Sequence, residues 1–557
     1  MNLMNDPWIP VRCADGHTRR IRPHELTATD NPVVALDAPR PDFNGALAQF
    51  LIGLLQTVCA PVDEEQWEDW LWSPPAPETL AQHFTPLAPC FQLDGDGPRF
   101  MQDFDIKMAG NKKPIEALLI EAPGDKTLKE NADHFIKSGM VKAVCPACTA
   151  MALFTLQTNA PSGGQGNRTS LRGGGPLTTL VVFDARTFRE PALLWRDLWL
   201  NVLLKKEFLA KNPLKTDEPS VWFPWLSPTR TSEKDQKVTS ADAHPAVAYW
   251  ATPRRIRLDF TTIRGTCDVC GTAVEELLQY YTSLNFGANY VDWEHPLSPY
   301  YSKTPNSTEW IPQHPQPGGL NYRYWMSCIL NHKQTERIAK IVWVFQEQRQ
   351  NLLSDSQFLA WAFGYDMENM KARCWYETRL PMIDLSDNLK RQLLADFAKN
   401  LIDSATEAIE FYLASAIRVA WFGLTQDKIK KLNKDQRNKL KPYNAFIDLV
   451  FWSTTEKPFY EQLCKFADAL HAGQDWREIQ KLCAQEWHRI LRQQALTLFD
   501  QLAMAGEWEY ENSKRLADAY NALRWGLDSN SFKSKLGLAP PPDPDSKSRK
   551  GQKRKKS

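Results

Sequence analysis

Two Cys-x-x-Cys elements, Cys145-Pro-Ala-Cys148 and Cys267-Asp-Val-Cys270, separated by 118 residues, constrain the fold of this chain more than any other feature. Eleven cysteines in 557 residues would produce on the order of 0.2 such pairs by accident, so two point to a shared purpose. Each turn offers two thiolates to one side of a tetrahedral ion, and Gly271, just after the second turn, eases a tight knuckle. Zinc held by Cys145, Cys148, Cys267 and Cys270 has no open coordination position, which makes the expected site structural rather than catalytic. The gap is too long for a compact finger, so such a centre staples two distant segments. The competing reading is two pairs of buried, inert thiols.

Around that staple the first 375 or so residues mix strand-sized apolar runs with helix-sized ones. Trp8 to Val11, Thr178 to Phe183, Arg255 to Phe260 and Ile338 to Phe345 are the short runs; Gly45 to Val58, Thr149 to Gln157 and Leu193 to Leu209 are the long ones. Alternation of this kind, punctuated by Pro and Gly, reads as an irregular α+β domain. From Asp384 the character changes, and Leu389, Leu393, Leu394, Phe397, Leu401, Ile402, Ala405, Ile409, Leu413 and Ile417 keep a helical period. Three more segments follow, 444–470, 475–502 and 510–527, with Asp475 and Glu478 spaced as a capping box. The expected architecture is α+β, with an irregular N-terminal mixed domain over 1–376 carrying the zinc-clamped four-cysteine site and a C-terminal four-helix bundle over 377–538. A Pro-rich and basic tail over 539–557 is expected to be disordered.

Charge narrows the partners. Lys and Arg number 67 against 66 Asp and Glu, but seven of the bases and no acid lie in residues 547–557; removing them from the net +1 leaves −6 on the rest. A nucleic-acid surface must therefore be a local patch. One such patch is Lys428, Lys430, Lys431, Lys434, Arg437, Lys439 and Lys441, interrupted by the single acid Asp435, which either tracks a phosphate backbone or is a solvated face. Another candidate is the stretch Pro161 to Pro176, with six Gly and two Arg, Arg168 and Arg172; bare glycines leave N–H groups free for phosphates or base edges, and the arginines favour a polyanion. It lacks Gly-Lys-Ser/Thr, which excludes a nucleotide P-loop.

The twenty residues from Phe43 to Val62 carry no charge, yet Asn44, Gln49, Gln56 and Pro61 suit a buried helix with a polar stripe better than a membrane span. No basic stretch leads into an apolar one at the N-terminus, and an odd number of dispersed cysteines suits a reducing compartment, so a cytoplasmic location is expected. Catalytic sets do not assemble. Asp133-His134 and Asp292-Trp-Glu-His295 lack partners at ligand spacing among ten scattered histidines. The rival class is an enzyme, a metal-dependent nuclease or, given 21 Trp, another hydrolase with a sugar-stacking cleft. A third reading is a scaffold that binds only protein and RNA.

The opening Met1-Asn-Leu-Met-Asn-Asp-Pro-Trp8-Ile-Pro-Val-Arg12, the run Cys145 to Phe154, the loop end Leu171 to Thr179, the tetrapeptide His295-Pro-Leu-Ser298 and Phe363 to Trp375 together resemble the CasA family. Its members are large subunits of the type I-E CRISPR surveillance complex, Cascade. The resemblance covers residues 1 to about 530 and implies a subunit without catalysis of its own. Such a subunit sits near the 5′ end of the guide RNA among the other Cascade subunits, reads the protospacer-adjacent motif in double-stranded DNA, helps open the duplex and presents the target to a helicase-nuclease. The family's glycine loop falls on Ser162, Gly163, Gly164, Gln165 and Gly166. Its strand-separating wedge falls on Asn369 and Met370, and a loop reaching toward the motif and the guide's 5′ handle on His134, Phe135, Ile136 and Lys137. The paired cysteines match a family zinc site. The chain departs where a Lys is expected to read the motif: no Lys or Arg occurs from Gly265 to Ser302, and Asn285 or Asn289 would take its place. The basic run from Lys428 to Lys441 would then guide the displaced strand.

Overall fold

The computed structural model describes residues 1–539 apart from 106–109, 132, 134–135, 165, 188–191, 215, 262, 331–333, 354–355, 369, 385–386 and 504–511. The expected tail lies outside the described residues from 540 onward. Contacts divide the chain into two units, Met1–Gln316 with Lys333–Met382, and Pro317–His332 with the chain from Ile383. The division differs from one at residue 376, because the strand Lys371–Met382 carries the first unit further. Pro317–His332 joins the helical unit through Tyr322, whose ring stacks on Phe459 at 4.4 Å and whose hydroxyl bonds the Thr455 hydroxyl at 2.9 Å.

The first unit is built on several small sheets. Ile9–Cys13 runs between Thr18–Ile21 and Val33–Leu36, both antiparallel to it. Leu277–Leu284 runs between Asn111–Pro114 and Arg255–Thr261. Phe358–Glu368 pairs with Thr178–Phe183 on one side and with Lys371–Met382 on the other. The helix Pro41–Val58 packs on the helix Pro146–Asn159, and Phe50 at their centre makes edge contacts with Trp8, Phe91, Phe100, Phe154 and Trp250. Large aromatic faces removed from water in this way dominate a core. Trp8, Trp67, Trp195, Trp199, Trp225, Trp250, Trp325, Trp452 and Trp487 are all fully buried, so these tryptophans pack the interior rather than line a sugar cleft.

The uncharged stretch at Phe43 is a buried helix whose polar stripe is fully used. Gln49 donates to the Gly45 carbonyl at 3.2 Å, while Gln56 donates to the Leu203 carbonyl at 3.0 Å and accepts from its amide at 2.7 Å. Among the described residues, no helix is long and apolar enough to cross a membrane. Two local expectations need correction. Ile338 to Phe345, a strand-sized run, forms the helix Lys340–Val344 and then a π turn over Phe345–Arg349: Ile341, Val342, Val344 and Phe345 are buried while Lys340 and Trp343, three residues apart, share the exposed face, and a short apolar run with one polar residue does not tell helix from strand by periodicity alone. Leu193 to Leu209 splits into Leu194–Trp199 and Lys205–Phe208; between them Asn201 bonds both the amide and the carbonyl of Val181 at 2.8 Å, ending the first helix.

In the second unit, Asn388–Glu407, the π turn Ala408–Leu413 and Ala414–Phe422 follow one another without a break, and Gly423 closes the run at φ 61°. Lys434–His471, Trp476–Ala503 and Ser513–Leu527 complete four packed segments. Trp487 locks them by donating to the Leu401 carbonyl at 3.0 Å, and Phe397 meets Phe466 at 4.6 Å. Asp475 accepts from the Arg477 amide at 3.2 Å at the head of the third.

Candidate metal centre and nucleic-acid interface

Cys145, itself extended, caps the helix Pro146–Asn159 by accepting from the Cys148 amide, so Cys148 stands in its first turn. The second knuckle is closed by Gly271, at φ 70°, whose amide donates to the Cys267 carbonyl at 2.9 Å. Asp268 pins the knuckles together, its carboxylate accepting from the amides of Lys142 and Ala143 at 2.7 and 2.8 Å. A two-way backbone bridge between Val144 and Leu278, at 2.9 and 2.8 Å, completes the clamp. The four sulfurs lie within 4.8 Å of one another, with Cys145, Cys148 and Cys267 buried and Cys270 half-buried. Zinc–sulfur bonds of about 2.3 Å give a tetrahedron with edges of about 3.8 Å, and the Cys145 and Cys270 sulfurs stand 3.8 Å apart. The residues fit a metal ion.

Hydrogen bonds from Cys145 and then Cys148 hold the Cys267 thiol far below its usual range, while hydrogen bonds to Cys145 and then Cys267 hold the Cys148 thiol far above it, so negative charge settles on Cys267. Arg20 of the strand Thr18–Ile21 donates to the Cys270 sulfur at 3.3 Å. Burial lowers its pKa, but the charges of Cys145, Cys270 and Cys148 outweigh burial and leave it raised. No cysteine motif contains Arg20, and its place beside the sulfurs arises from strand pairing.

The elements that begin at the cysteines end at the glycine loop and at Asn285. The helix Pro146–Asn159 leads into Ser162–Gly166, and the strand Leu277–Leu284 leads into Asn285. There the two meet. The Phe286 amide donates to the Gly166 carbonyl at 2.7 Å, and a Cβ on Gly166, at φ 76°, would stand 2.8 Å from both the Asn285 Cβ and the Phe286 nitrogen. Asn285 is exposed, as are Ser162, Gly163 and Gly164. Gly164, at φ 82°, has open space around it, whereas Gly163 faces Asn167 and Arg254. The Asn167 side chain donates to the Gly163 carbonyl at 2.8 Å, and Arg254 donates to the Pro161 carbonyl. Arg168 donates to the Ser232 hydroxyl at 2.8 Å, which in turn donates to the Gly287 carbonyl at 2.8 Å. Asn289 sits apart from the loop; it is half-buried, and its carbonyl accepts from Val238 at 2.8 Å. Gln165 lies outside the described residues.

Met370 stands at the tip of the hairpin whose last pair is Glu368 with Lys371. It is 54% exposed and at φ 73°, an unusual conformation for a long side chain. Arg373 braces the tip, bonding Asp366 at 3.0 and 2.7 Å and Glu368 at 2.5 Å. Asn369, the other residue expected in a wedge, lies outside the described residues. Gly175, at φ 62°, allows Tyr365 of the same hairpin to pack where a Cβ would meet its own Cβ at 2.6 Å, joining the glycine-rich stretch to the hairpin.

In the handle-loop candidate, Ile136 is 45% exposed and Lys137 stands 3.7 Å from Asp133; His134 and Phe135 lie outside the described residues. The basic run is helical where a connection was expected. It comprises the short helix Gln426–Lys430 and the first turns of Lys434–His471, started by an Asn433–Gln436 capping box. The side chains of Lys428, Lys431, Lys434 and Lys439 are exposed, and Lys428 reaches the Gly423 carbonyl at 3.0 Å. The side chains of Lys430, Arg437 and Lys441 lie outside those described.

One reading of the glycine stretch is overturned. Arg172 does not face a polyanion: it is 3% exposed and bonds Thr178 at 3.0 Å, Ser298 at 2.9 Å and Gln49, holding the loop's root to the core. The tetrapeptide His295-Pro-Leu-Ser298 belongs to the same interior. Ser298 donates to the Leu177 carbonyl at 2.7 Å, and the His295 ring, 4.9 Å from Tyr249, accepts from the Leu297 amide at 3.1 Å. Burial and then Arg172 hold His295 well below its usual pKa, which keeps it neutral. Glu294 is engaged by Arg337 at 2.8 Å.

A family model described as CRISPR-associated protein Cse1 matches residues 2–498. Among solved structures, the fold is similar to Cse1 from Acidimicrobium ferrooxidans, with 16% identity and a TM-score of 0.65 over 96% of this chain and 99% of that one. It is similar to CasA of Thermus thermophilus at 15% identity and a TM-score of 0.64, over 96% and 99% of the two chains. A chain of a CRISPR RNA-guided surveillance complex matches at 13% identity and a TM-score of 0.63, over 95% of this chain and 99% of that one.

Proposed function

Because the chain belongs to the CRISPR-associated Cse1 family, whose model spans residues 2–498, we propose that it is a non-catalytic subunit of an RNA-guided surveillance complex, reading a short protospacer-adjacent motif in double-stranded DNA. The observation that carries this reading is the junction of Gly166 with Asn285 and Phe286, which sets the open backbone at Gly164 beside an exposed amide side chain. A slim backbone enters the minor groove without a side chain in the way, and an Asn reads its acceptors through hydrogen bonds. That groove distinguishes few base pairs, so the motif read by an Asn in place of a Lys is relaxed.

Asn369 and Met370 are the wedge: an exposed apolar side chain at the end of a braced hairpin is suited to entering a base step and unstacking it. Guide pairing then completes the R-loop, and the displaced strand follows Lys428, Lys431, Lys434 and Lys439 through phosphate contacts. Guide RNA and the other subunits hold the chain in the complex, with Ile136 and Lys137 toward the guide's 5′ handle; a separate cytoplasmic helicase-nuclease does the cutting. The metal is zinc, and with four sulfur ligands its role is structural. The test is duplex binding by the complex assembled with and without this chain. Loss of motif-dependent binding without it supports the reading, and retained binding refutes it. Metal-dependent cleavage by the pure chain that disappears with Asp133→Ala would replace it with the nuclease reading.

A further inference from the structure

We propose that Arg20 is the outer-sphere cation of the four-cysteine centre, governing how firmly the metal is held at Cys270 and fastening the Ile9–Ile21 hairpin to it. The inference rests on the zinc reading above and extends it to a residue outside the cysteine motifs. The sulfurs differ in how they are supported. Backbone amides serve two of them: Cys145 N–H points to the Cys267 sulfur at 3.3 Å, and Cys148 N–H to the Cys145 sulfur at 3.5 Å. Cys270 is the half-buried sulfur of the four, and its described partners are side chains, the Arg20 guanidinium at 3.3 Å and the Thr272 hydroxyl at 3.3 Å.

Four thiolates around a divalent ion leave a charge of −2 in a largely buried site. A guanidinium beside them offsets part of that charge, and its N–H draws electron density from the sulfur. Both effects make Cys270 harder to displace from the metal, at the one sulfur of the four that is only half-buried. Pairing of Pro10 with Arg20 in the sheet fixes the arginine's backbone, and the neighbouring side chain turns away, Arg19 donating to the Cys13 sulfur at 3.2 Å. Outer-sphere partners of this kind change metal affinity by roughly 10–100-fold.

The test uses the full chain with Arg20→Gln, which removes the charge, and Arg20→Lys, which keeps it without the planar fork. Two quantities are read: the rate of zinc release to excess chelating dye, and the thiolate-to-metal charge-transfer band of the cobalt(II)-substituted protein. The band reports electron density on sulfur, which loss of strand packing alone leaves in place. Arg20→Gln is expected to release zinc about tenfold faster or more and to shift the band to lower energy, with Arg20→Lys intermediate in both. If Arg20→Gln does not accumulate, the lysine variant decides. Wild-type release rates and an unshifted band in a soluble variant overturn this inference while the zinc reading stands. A wild-type chain that binds no zinc overturns both.

Discussion

Phe286 donates its backbone N–H to the Gly166 carbonyl at 2.7 Å, and this bond closes the end of a helix–strand pair whose other end is closed by four cysteines. The helix Pro146–Asn159 and the strand Leu277–Leu284 are in contact, and each has a cysteine knuckle before it and a candidate recognition loop after it. The four cysteines and the glycine loop therefore lie at the two ends of one helix–strand pair, and substitutions at Gly166 and at the cysteines are expected to share a phenotype.

Gly166→Ala places a Cβ 2.8 Å from the Asn285 Cβ and from the Phe286 nitrogen, at φ 76°. The backbone conformation alone costs about 1 kcal/mol, and the clash forces the two loops apart. Reduced duplex binding is expected, together with faster amide hydrogen exchange at Phe286. Unchanged exchange there would show that the bond does not hold the loop.

Replacing any one of Cys145, Cys148, Cys267 or Cys270 by Ser is expected to lower zinc from about one equivalent to less than half, with reduced solubility, since structural zinc contributes directly to folding. Metal analysis of protein never exposed to chelator decides it. A wild-type content below about half an equivalent rules out the site.

Met370→Gly should separate stability from function. At φ 73° a glycine relieves strain of about 1–2 kcal/mol but gives back up to about 1 kcal/mol in unfolded-state entropy. Thermal stability is expected to hold or rise slightly while strand opening by the assembled complex slows. Fluorescence of a base analogue beside the motif reports the opening rate; wild-type kinetics would remove Met370 from the wedge.

How much of this was legible in the sequence depended on whether a feature is local. The cysteine knuckles were, because a tetrahedral ion demands the Cys-x-x-Cys spacing wherever the chain places it. Thr178–Phe183 was also legible, as an apolar run bounded by turn residues and found as that same strand. Arg172 misled because its neighbours are glycines, which suggested a surface loop. Its partners Gln49 and Ser298 come from distant segments, and nothing in the local pattern announces them. Arg20 was silent for the same reason. The run at Ile338 failed differently: its exposed face holds Trp343 beside Lys340, and an apolar residue on the solvent side hides the period that distinguishes helix from strand.

His295 gives a pH dependence of definite sign. Held neutral and well below 6.5 in the folded chain, it takes up a proton on unfolding that the native state refuses. Stability is therefore full above the unfolded value near 6.5 and falls as pH drops below it, by up to about 1.4 kcal/mol per pH unit. His295→Asn keeps an acceptor for the Leu297 amide and loses the titration. From pH 7 to pH 5 its thermal midpoint is expected to fall less than that of the wild type; equal falls would show that His295 is not the group responsible.

Changing the exposed Lys428, Lys431, Lys434 and Lys439 to Glu is expected to weaken binding about equally across target sequences. It also flattens the salt dependence, by about 0.7 in log–log slope for each single-strand phosphate no longer neutralised. An altered sequence preference with an unchanged slope would assign these lysines to base reading instead.

Open space surrounds Gly164 in the chain, so a side chain there clashes only with bound DNA, while the backbone strain of about 1 kcal/mol that an aspartate meets at φ 82° weighs equally on duplex and single-strand binding. The decisive experiment compares the assembled complex, wild type and Gly164→Asp, in its affinity for a motif-bearing duplex and for the same target as a single strand. At least about a tenfold loss is expected for the duplex, or about 1.4 kcal/mol, with single-strand binding unchanged. Equal duplex affinity in the two complexes would show that this loop does not read the motif.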